Sequence, residues 1–496
     1  MTRTARAAPG TALLLLVAGL FPSGCGLTPG SAAGAPAVER PVAVAPDPAG
    51  APVKRLDPLL EELEERTFRY FLDLAHPVTG LVPDRWPTPS FSSVAAVGFG
   101  LTAYPIGVER GWIPREEARP RVLRTLRFLL DAPQGPEPAG VAGHRGLLYH
   151  FLDMESGRRF GTVELSTIDT ALFLAGALFC QSYFDGDHPD EAAIREAADA
   201  LYRRADWTFV RPRPPLLGMG WTPETGYIAY DWKGYDESMI LYVLALGSPT
   251  HPVGPEAWAG FTSTYVWAPW YGPEHVAFGP LFGHQYSHVW IDFRGIRDAY
   301  MRGKGIDYFE NSRRATLSQR AYAIANPLGF ADYGENVWGL TACDGPADVT
   351  RMVNGRPVRF YTYGARATSA VWSSDDGTLA PTAAGGSIAF APEVCLPALK
   401  EMRRRYGDDL WGRYGFLDAF NPTFTFTDFP VHHGRVVPGA GWFDSDYIGI
   451  DQGPILAMIE NHRSELVWRT MRKNAYVVNG LRRAGFTGGW LDLATR

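Results

Sequence analysis

Hydrophobic positions along this chain recur mainly at helical spacing. From Asp57 to Ala75, residues Leu59, Leu60, Leu63, Phe68, Phe71 and Leu72 fall near one face, as in an amphipathic helix packed on a core. Ser92 and Ser93 are suited to cap a helix through Val94–Glu109, and Pro114 suits the first position of a third that runs towards Leu130. Further helices are predicted over Ser166–Phe184, Pro189–Phe209, Glu237–Leu246, Glu256–Trp267, His288–Met301, Tyr308–Asn326, Pro392–Arg405, Gln452–Asn461 and Ser464–Arg483. Short strands are expected around Val358–Tyr363 and Ile388–Phe390. No internal repeat is evident.

The helices are of two kinds. Pro189–Phe209 has a polar face and belongs at a surface, whereas Thr170–Leu178 (TALFLAGAL) and Met239–Leu246 (MILYVLAL) are apolar all round and must be buried on every side. Alternation of fully buried with half-exposed helices predicts two concentric layers, an all-α (α/α)6 barrel with a few short strands in its loops. An irregular helical array also fits the pattern.

Acidic residues stand immediately before the apolar runs. Glu164 and Asp169 precede Thr170–Leu178, Asp236 and Glu237 precede Met239–Leu246, and Asp446 and Asp451 precede Gly453–Leu456. If the inner helices share one direction, these starts gather at one end of the barrel. There the carboxyl groups raise one another's pKa, while the helix dipoles favour ionisation. Taken singly, each acid is as well explained as an ordinary cap or dipole partner. The segment Gly218–His251 adds tryptophan and tyrosine beside Asp236-Glu237, a pairing of flat apolar faces and acids that suits sugar binding.

Other segments contribute candidates. Asp84-Arg85-Trp86 follows a turn and is placed to reach a cleft. His284 and His288 are four residues apart, but the glutamate of a metalloprotease helix is missing between them, so hydrogen bonding to sugar hydroxyls is expected rather than metal ligation. Asp375-Asp376-Gly377-Thr378 has the look of a turn and lacks the spacing of a calcium loop. No metal or cofactor is expected.

Composition narrows the class. The chain has 496 residues, 13% aromatic and 20% charged, with a net charge of −6 and no basic patch, which argues against a nucleic-acid partner. Arg3 and Arg6, an apolar run from Thr11 to Phe21 and small residues thereafter read as a signal peptide over residues 1–24. Pro22-Ser23-Gly24-Cys25 resembles a bacterial lipobox with proline at an unusual position, making Cys25 the expected lipid-carrying residue. Removal of residues 1–24 takes away two arginines and no acid, moving the charge from −6 to −8. Residues 25–55 are an Ala/Pro-rich tether, and 56–496 form one expected catalytic domain. The expected location is extracytoplasmic, as a periplasmic or cell-surface lipoprotein attached to a membrane, or as a secreted protein if Cys25 is not lipidated. Cys180, Cys343 and Cys395 are odd in number and widely spaced, and buried free thiols are the simpler expectation.

The blocks TFRYFLDLAHPVTGLVPDR, STIDTALFLAGAL, MGWTPETGYI, GYDESMILYVLALGSPTHP, HQYSHVWIDFRGI, DYFENSRRAT, WGLTACDGP, DGTLAPTAA and DYIGIDQGPI, in this order from about Leu56 to Trp490, resemble the glucoamylase-like domain of glycoside hydrolase family 144. The resemblance implies an (α/α)6 barrel and anomer-inverting, metal-free hydrolysis of β-1,2-glucan, endo-acting or exo-acting with release of sophorose. By motif it assigns the acid to Glu237 and an acidic group to Glu164 and Asp169. On this basis Glu237 is expected to protonate the leaving oxygen. Asp169, with Glu164 or Asp451, is expected to activate water. Asp84, Arg85, Trp221, Tyr235, His288, Trp290 and Asp292 are expected to line or shape the sugar subsites. Two alternatives stay open: the same fold acting on another glucan linkage, and a lipid-tethered glycan binder without turnover.

Overall fold

A computed structural model describes residues 53–493. The leader (1–24), Cys25 and all but the last three residues of the tether therefore lie outside the described residues. In chain order the helices are α1 (Pro58–Leu74), α2 (Val94–Glu109), α3 (Arg115–Asp131), α4 (Thr167–Tyr183), α5 (Pro189–Arg204), α6 (Met239–Gly247), α7 (Glu256–Thr262) and α8 (Tyr286–Trp290). They continue with α9 (Ala299–Lys304), α10 (Tyr308–Ala325), α11 (Pro381–Gly385), α12 (Pro392–Tyr406), α13 (Gly449–Ser464), α14 (Leu466–Met471), α15 (Ala475–Arg483) and α16 (Gly489–Leu493).

Six of these make the inner ring. Helix α2 packs on α4, α4 on α6 and α6 on α8; α11 packs on α13, and α13 returns to α2. Between α8 and α11 the ring is bridged by Gln285, whose Nε2 donates to Ala383 O and Ser387 Oγ, both at 2.9 Å. The helices α1, α3, α5, α7, α10 and α12 stand outside them, so the two-layer (α/α)6 barrel expected from the pattern is what forms. The apolar runs explain the sorting: every residue of α6 is buried, as are nearly all of α2 and α4.

Caps fix where the inner helices begin. Ser93 accepts from Ala96 N, and Ser166 accepts from Asp169 N, each at the start of an inner helix. Helices α2 and α4 then approach so closely that only glycine fits. A Cβ on Gly98 would lie 2.3 Å from Leu172 O, and one on Gly176 would lie 2.1 Å from Gly98 O.

Several boundaries depart from expectation. The helix expected over His288–Met301 breaks after Trp290, because Ile291 is extended and Arg294-Gly295 makes a turn, with Gly295 at φ 74°. Ser464–Arg483 is two helices, and Glu256–Trp267 stops at Thr262. Ile388–Phe390 is a buried turn between α11 and α12 rather than a strand, its residues bonding back to Gly385 and Ser387. The expected strand at Val358 is present as Arg356–Phe360, paired with Val349–Val353 across an Asn354-Gly355 turn. The remaining strands are short and form two- or three-stranded sheets before and between the helices. Cys180, Cys343 and Cys395 are buried free thiols.

The α2–α4 contact yields a stability prediction. Alanine favours a helix over glycine by about 1 kcal/mol, yet Gly176→Ala forces a methyl into a backbone carbonyl. We expect a net loss of about 1–3 kcal/mol in denaturant unfolding; an unchanged midpoint would refute this close crossing.

Candidate active site

All six inner helices point the same way, so the loops before them converge on one end. Glu164 and Asp169 enter before and within the first turn of α4, Asp236 and Glu237 before α6, and Asp446 and Asp451 around the start of α13. Asp84 and Arg85 join them through pairing of strand Arg85–Trp86 with Tyr447–Ile448, reinforced by Gly449 N donating to Asp84 O at 2.7 Å. The predicted gathering of acids at helix starts is thus realised.

Asp236 and Glu237, adjacent in sequence, do different things. The Asp236 carboxylate accepts from the backbone N of Ser238 at 2.9 Å and from its hydroxyl, so it serves as a local cap; burial nevertheless pushes it up to about 7. Glu237 is only partly buried, and its carboxyl has no side-chain hydrogen-bond partner. Burial, the charge of Asp236 and that of Asp169 push its pKa well above the usual carboxylate range. Its backbone is held firmly: Ser287 Oγ donates to Glu237 O at 2.7 Å and accepts from Ile240 N at 2.9 Å, stitching α6 to α8. A carboxyl of raised pKa on a fixed backbone is what a general acid requires.

Sequence reasoning did not single out His150, which stands between the other two predicted acids. Its Nδ1 is 2.8 Å from Glu164 Oε1, and its Nε2 is 3.6 Å from Asp169 Oδ2. Burial pulls its pKa down, but Asp169 and Glu164 outweigh that and raise it to about 9. The charged imidazole in turn overcomes the burial of Glu164 and holds it below the usual range. Asp169 is raised, chiefly by burial; it also forms a reciprocal cap with Ser166, donating its N–H to Ser166 Oγ while its carboxylate accepts from that hydroxyl.

A second acidic group adjoins the first through Asp84. Arg85 Nη1 is 2.7 Å from Asp344 and 3.6 Å from Asp446, while its Nε is 3.3 Å from Asp84. Asp418 accepts from Asp344 N at 2.8 Å. Buried carboxylate oxygens of Asp418, Asp444, Asp446 and Asp451 have no hydrogen-bond partner within the protein. Burial raises Asp451 well above the usual range, assisted by Asp418, and raises Asp418 to about 7. Ligand atoms of Asp344, His433 and Asp446, and those of Asp344, Asp418 and Asp444, lie within 4.8 Å of one another, a spacing suited to a metal ion. The Arg85 guanidinium already supplies positive charge to Asp344, the acid the two groups share. Asp344 ends the short strand Ala342–Asp344 and Asp418 lies in a loop, neither with a periodic signal; the block WGLTACDGP carried the first, and nothing marked the second.

The remaining predicted binding residues are placed otherwise. Trp290 is fully buried inside the barrel, stacked on Phe99 with its Nε1 donating to Thr102 Oγ1 at 3.0 Å. Asp292 follows the C-terminal end of α8, at the opposite end, where Arg294 and Arg472 neutralise it. His288 faces the outer layer, its Nε2 3.0 Å from Ser312 Oγ, and burial depresses its pKa to about 3. Tyr235 is buried behind Asp236 against His284 and Tyr308. Trp221 lies near the rim on a strand paired with Leu165, its ring packed on His144 and Phe209. Of these seven residues, only Asp84 and Arg85 join the acidic clusters.

His150 provides a test. Its folded pKa is raised above the ordinary value near 6.5, so its stabilising contribution is full below about pH 6.5 and is lost as pH rises through about 9. His150→Gln is therefore expected to destabilise the protein more at pH 6 than at pH 10, as read by thermal unfolding. An equal loss at both would refute the charged bridge.

Known proteins resemble this chain in sequence and in fold. A family model described as "Putative glucoamylase" matches residues 229–475. The exo beta-1,2-glucooligosaccharide sophorohydrolase (non-reducing end) of Parabacteroides distasonis is 28% identical over 460 residues, covering 86% of this chain and 57% of that protein. The chain thus spans less than two thirds of that relative's length. A solved structure from Bacteroides uniformis, also titled "putative glucoamylase", is 32% identical with a TM-score of 0.74, covering 88% of this chain and 99% of its own. The endo-beta-1,2-glucanase of Chitinophaga pinensis, solved with sophorotriose and glucose, is 28% identical with a TM-score of 0.74, covering 87% and 98%. A 32% identical relative matched over nearly its whole length, together with the shared barrel, shows that this chain belongs to the glucoamylase-like proteins of glycoside hydrolase family 144.

Proposed function

We propose that the protein hydrolyses β-1,2-glucan by an anomer-inverting acid/base mechanism. The observation that carries the reading is Glu237, a half-buried carboxyl at the start of α6 whose pKa burial, Asp236 and Asp169 push well above the usual range. The activities named for the Parabacteroides and Chitinophaga relatives supply the linkage.

In this reading Glu237 protonates the glycosidic oxygen as the bond to the anomeric carbon lengthens. Asp169 faces Glu237 electrostatically and accepts a proton from the attacking water. Its raised pKa makes it a stronger base once ionised. Glu164, held ionised by His150, keeps negative charge beside it. Asp451 is the competing base in the second acidic group. Asp84 and Arg85 offer hydrogen bonds to sugar hydroxyls. Inversion proceeds without a covalent intermediate, so no nucleophilic side chain is called for.

Glu237→Gln is expected to lower kcat on β-1,2-glucan by at least about 100-fold with the fold intact. Near-normal turnover would sink its role as the acid. Asp169→Asn, Glu164→Gln and Asp451→Asn, assayed side by side, are expected to show the largest loss for Asp169. The first product observed by NMR should be the α-anomer. A panel of α-1,4-, α-1,6- and β-linked glucans separates this reading from another linkage preference, and binding without product would instead mark a glycan-binding protein.

The sequence also supports an extracytoplasmic lipoprotein, tethered through Cys25 by residues 26–55. Cys25→Ser is expected to move the protein from the membrane fraction to the soluble one; an unchanged distribution would exclude the anchor.

A further inference from the structure

One group of aromatic rings at the rim has no part in the acid/base chemistry. Phe160 is 42% exposed. Behind it the rings form a column. Phe160 and Phe91 have centroids 4.7 Å apart, Phe91 and Phe151 4.2 Å, and Phe151 and the His150 imidazole 3.9 Å. The far end of the column is thus the residue that bridges Glu164 and Asp169.

The support beneath this column is rigid. Strand Ser92–Ser93 pairs with Phe151–Leu152, and Phe160 N donates to Phe151 O at 3.0 Å. Phe91 O accepts from Asp84 N at 2.8 Å, so the same short stretch also positions Asp84. Next to Phe160, the guanidinium of Arg159 is fixed by Val163 O at 2.7 Å, Pro138 O at 3.0 Å and both oxygens of Glu224 at 2.7 and 3.0 Å. A single exposed phenylalanine needs no explanation. One mounted on a fixed loop and joined ring by ring to His150 presents a preorganised apolar face to solvent on the side of the acids.

We propose that the outer face of Phe160 is a distal sugar platform, taking a glucosyl unit of the same glucan chain whose scissile bond lies at Glu237. Pyranose rings carry C–H groups on flat faces, and these pack on an aromatic face where no hydrogen-bond partner is offered. Three ring-to-ring steps separate Phe160 from His150, so the sugar on Phe160 is not one held by the acids. The subsite therefore serves long chains and is out of reach of the shortest substrates. This inference rests on the glucan-hydrolase reading.

The test is a comparison of two substrates in three proteins. Wild type, Phe160→Ala and Phe160→Trp are assayed on polymeric β-1,2-glucan and on the shortest β-1,2-glucooligosaccharide that the wild type cleaves. Phe160→Ala is expected to raise KM for the polymer about three- to tenfold, the range that loss of one aromatic contact gives. Its kcat on the polymer and its kcat/KM on the short substrate should be unchanged, and Phe160→Trp should keep or lower the polymer KM. Equal effects on both substrates, or none on either, would overturn the platform while leaving the hydrolase reading intact. A wild-type protein that cleaves neither substrate would overturn the hydrolase reading itself.

Discussion

A helix without a polar stripe has to be surrounded, and this requirement orders the whole molecule. Helices α2, α4 and α6 are apolar on every side, so they can exist only inside a second layer. Outer helices pack along the inner ones: α3 and α5 follow and return along α2 and α4, α12 follows α11, and α1 packs on α13. The inner helices therefore run in one direction and expose their N-terminal turns together. That end gains unpaired backbone N–H groups and positive dipole ends, the environment that tolerates carboxylates. The C-terminal ends gather at the other side with the opposite preference.

The two ends differ in how their acids are answered. At the C-terminal end, Glu64 and Glu460 meet Arg110 and Arg463, while Asp292 and Glu465 meet Arg294 and Arg472. Arginines stand beside these acids, although burial and Glu460 still raise the pKa of Glu64. At the N-terminal end, Arg85 and His150 are the principal cations for a larger set that includes Asp84, Glu164, Asp169, Glu237, Asp344, Asp446 and Asp451. Buried carboxyls that lack a cation cannot all ionise, so some remain protonated at neutral pH. The larger surplus of acid stands at the N-terminal end, beside Glu237.

Much of this was readable along the chain, and the misses share a cause. The apolar runs around Leu172 and Leu244 announced inner helices, and the acids just ahead of them followed the rule for helix starts. Trp290 and Asp292 were misplaced because the helix carrying His288 lasts only five residues. Its short span puts Trp290 inside the barrel and leaves Asp292 beyond its C-terminal end, facing the arginines. His288 and Tyr235 were judged by residue type, which cannot tell the cleft side of an inner helix from the side turned to the outer layer. His150 and Asp418 lie in loops and Asp344 at the end of a three-residue strand, all without periodicity. Their importance arises from contacts between distant segments, such as Asp344 N with Asp418, which no local pattern encodes.

His150 shows how the geometry turns similar residues into different tools. Glu164 and Asp169 lie five positions apart and both approach the same imidazole, but at 2.8 and 3.6 Å. The closer one gains enough from the positive charge to stay ionised despite burial. The other is less favoured, more deeply buried and drawn upward in pKa, and it lies in the field of Glu237. One cation placed unevenly between two acids thus spreads three carboxyl groups over a range of proton affinities. An acid and a base acting on one bond need such a spread, and here it comes from the fold rather than from the residue types.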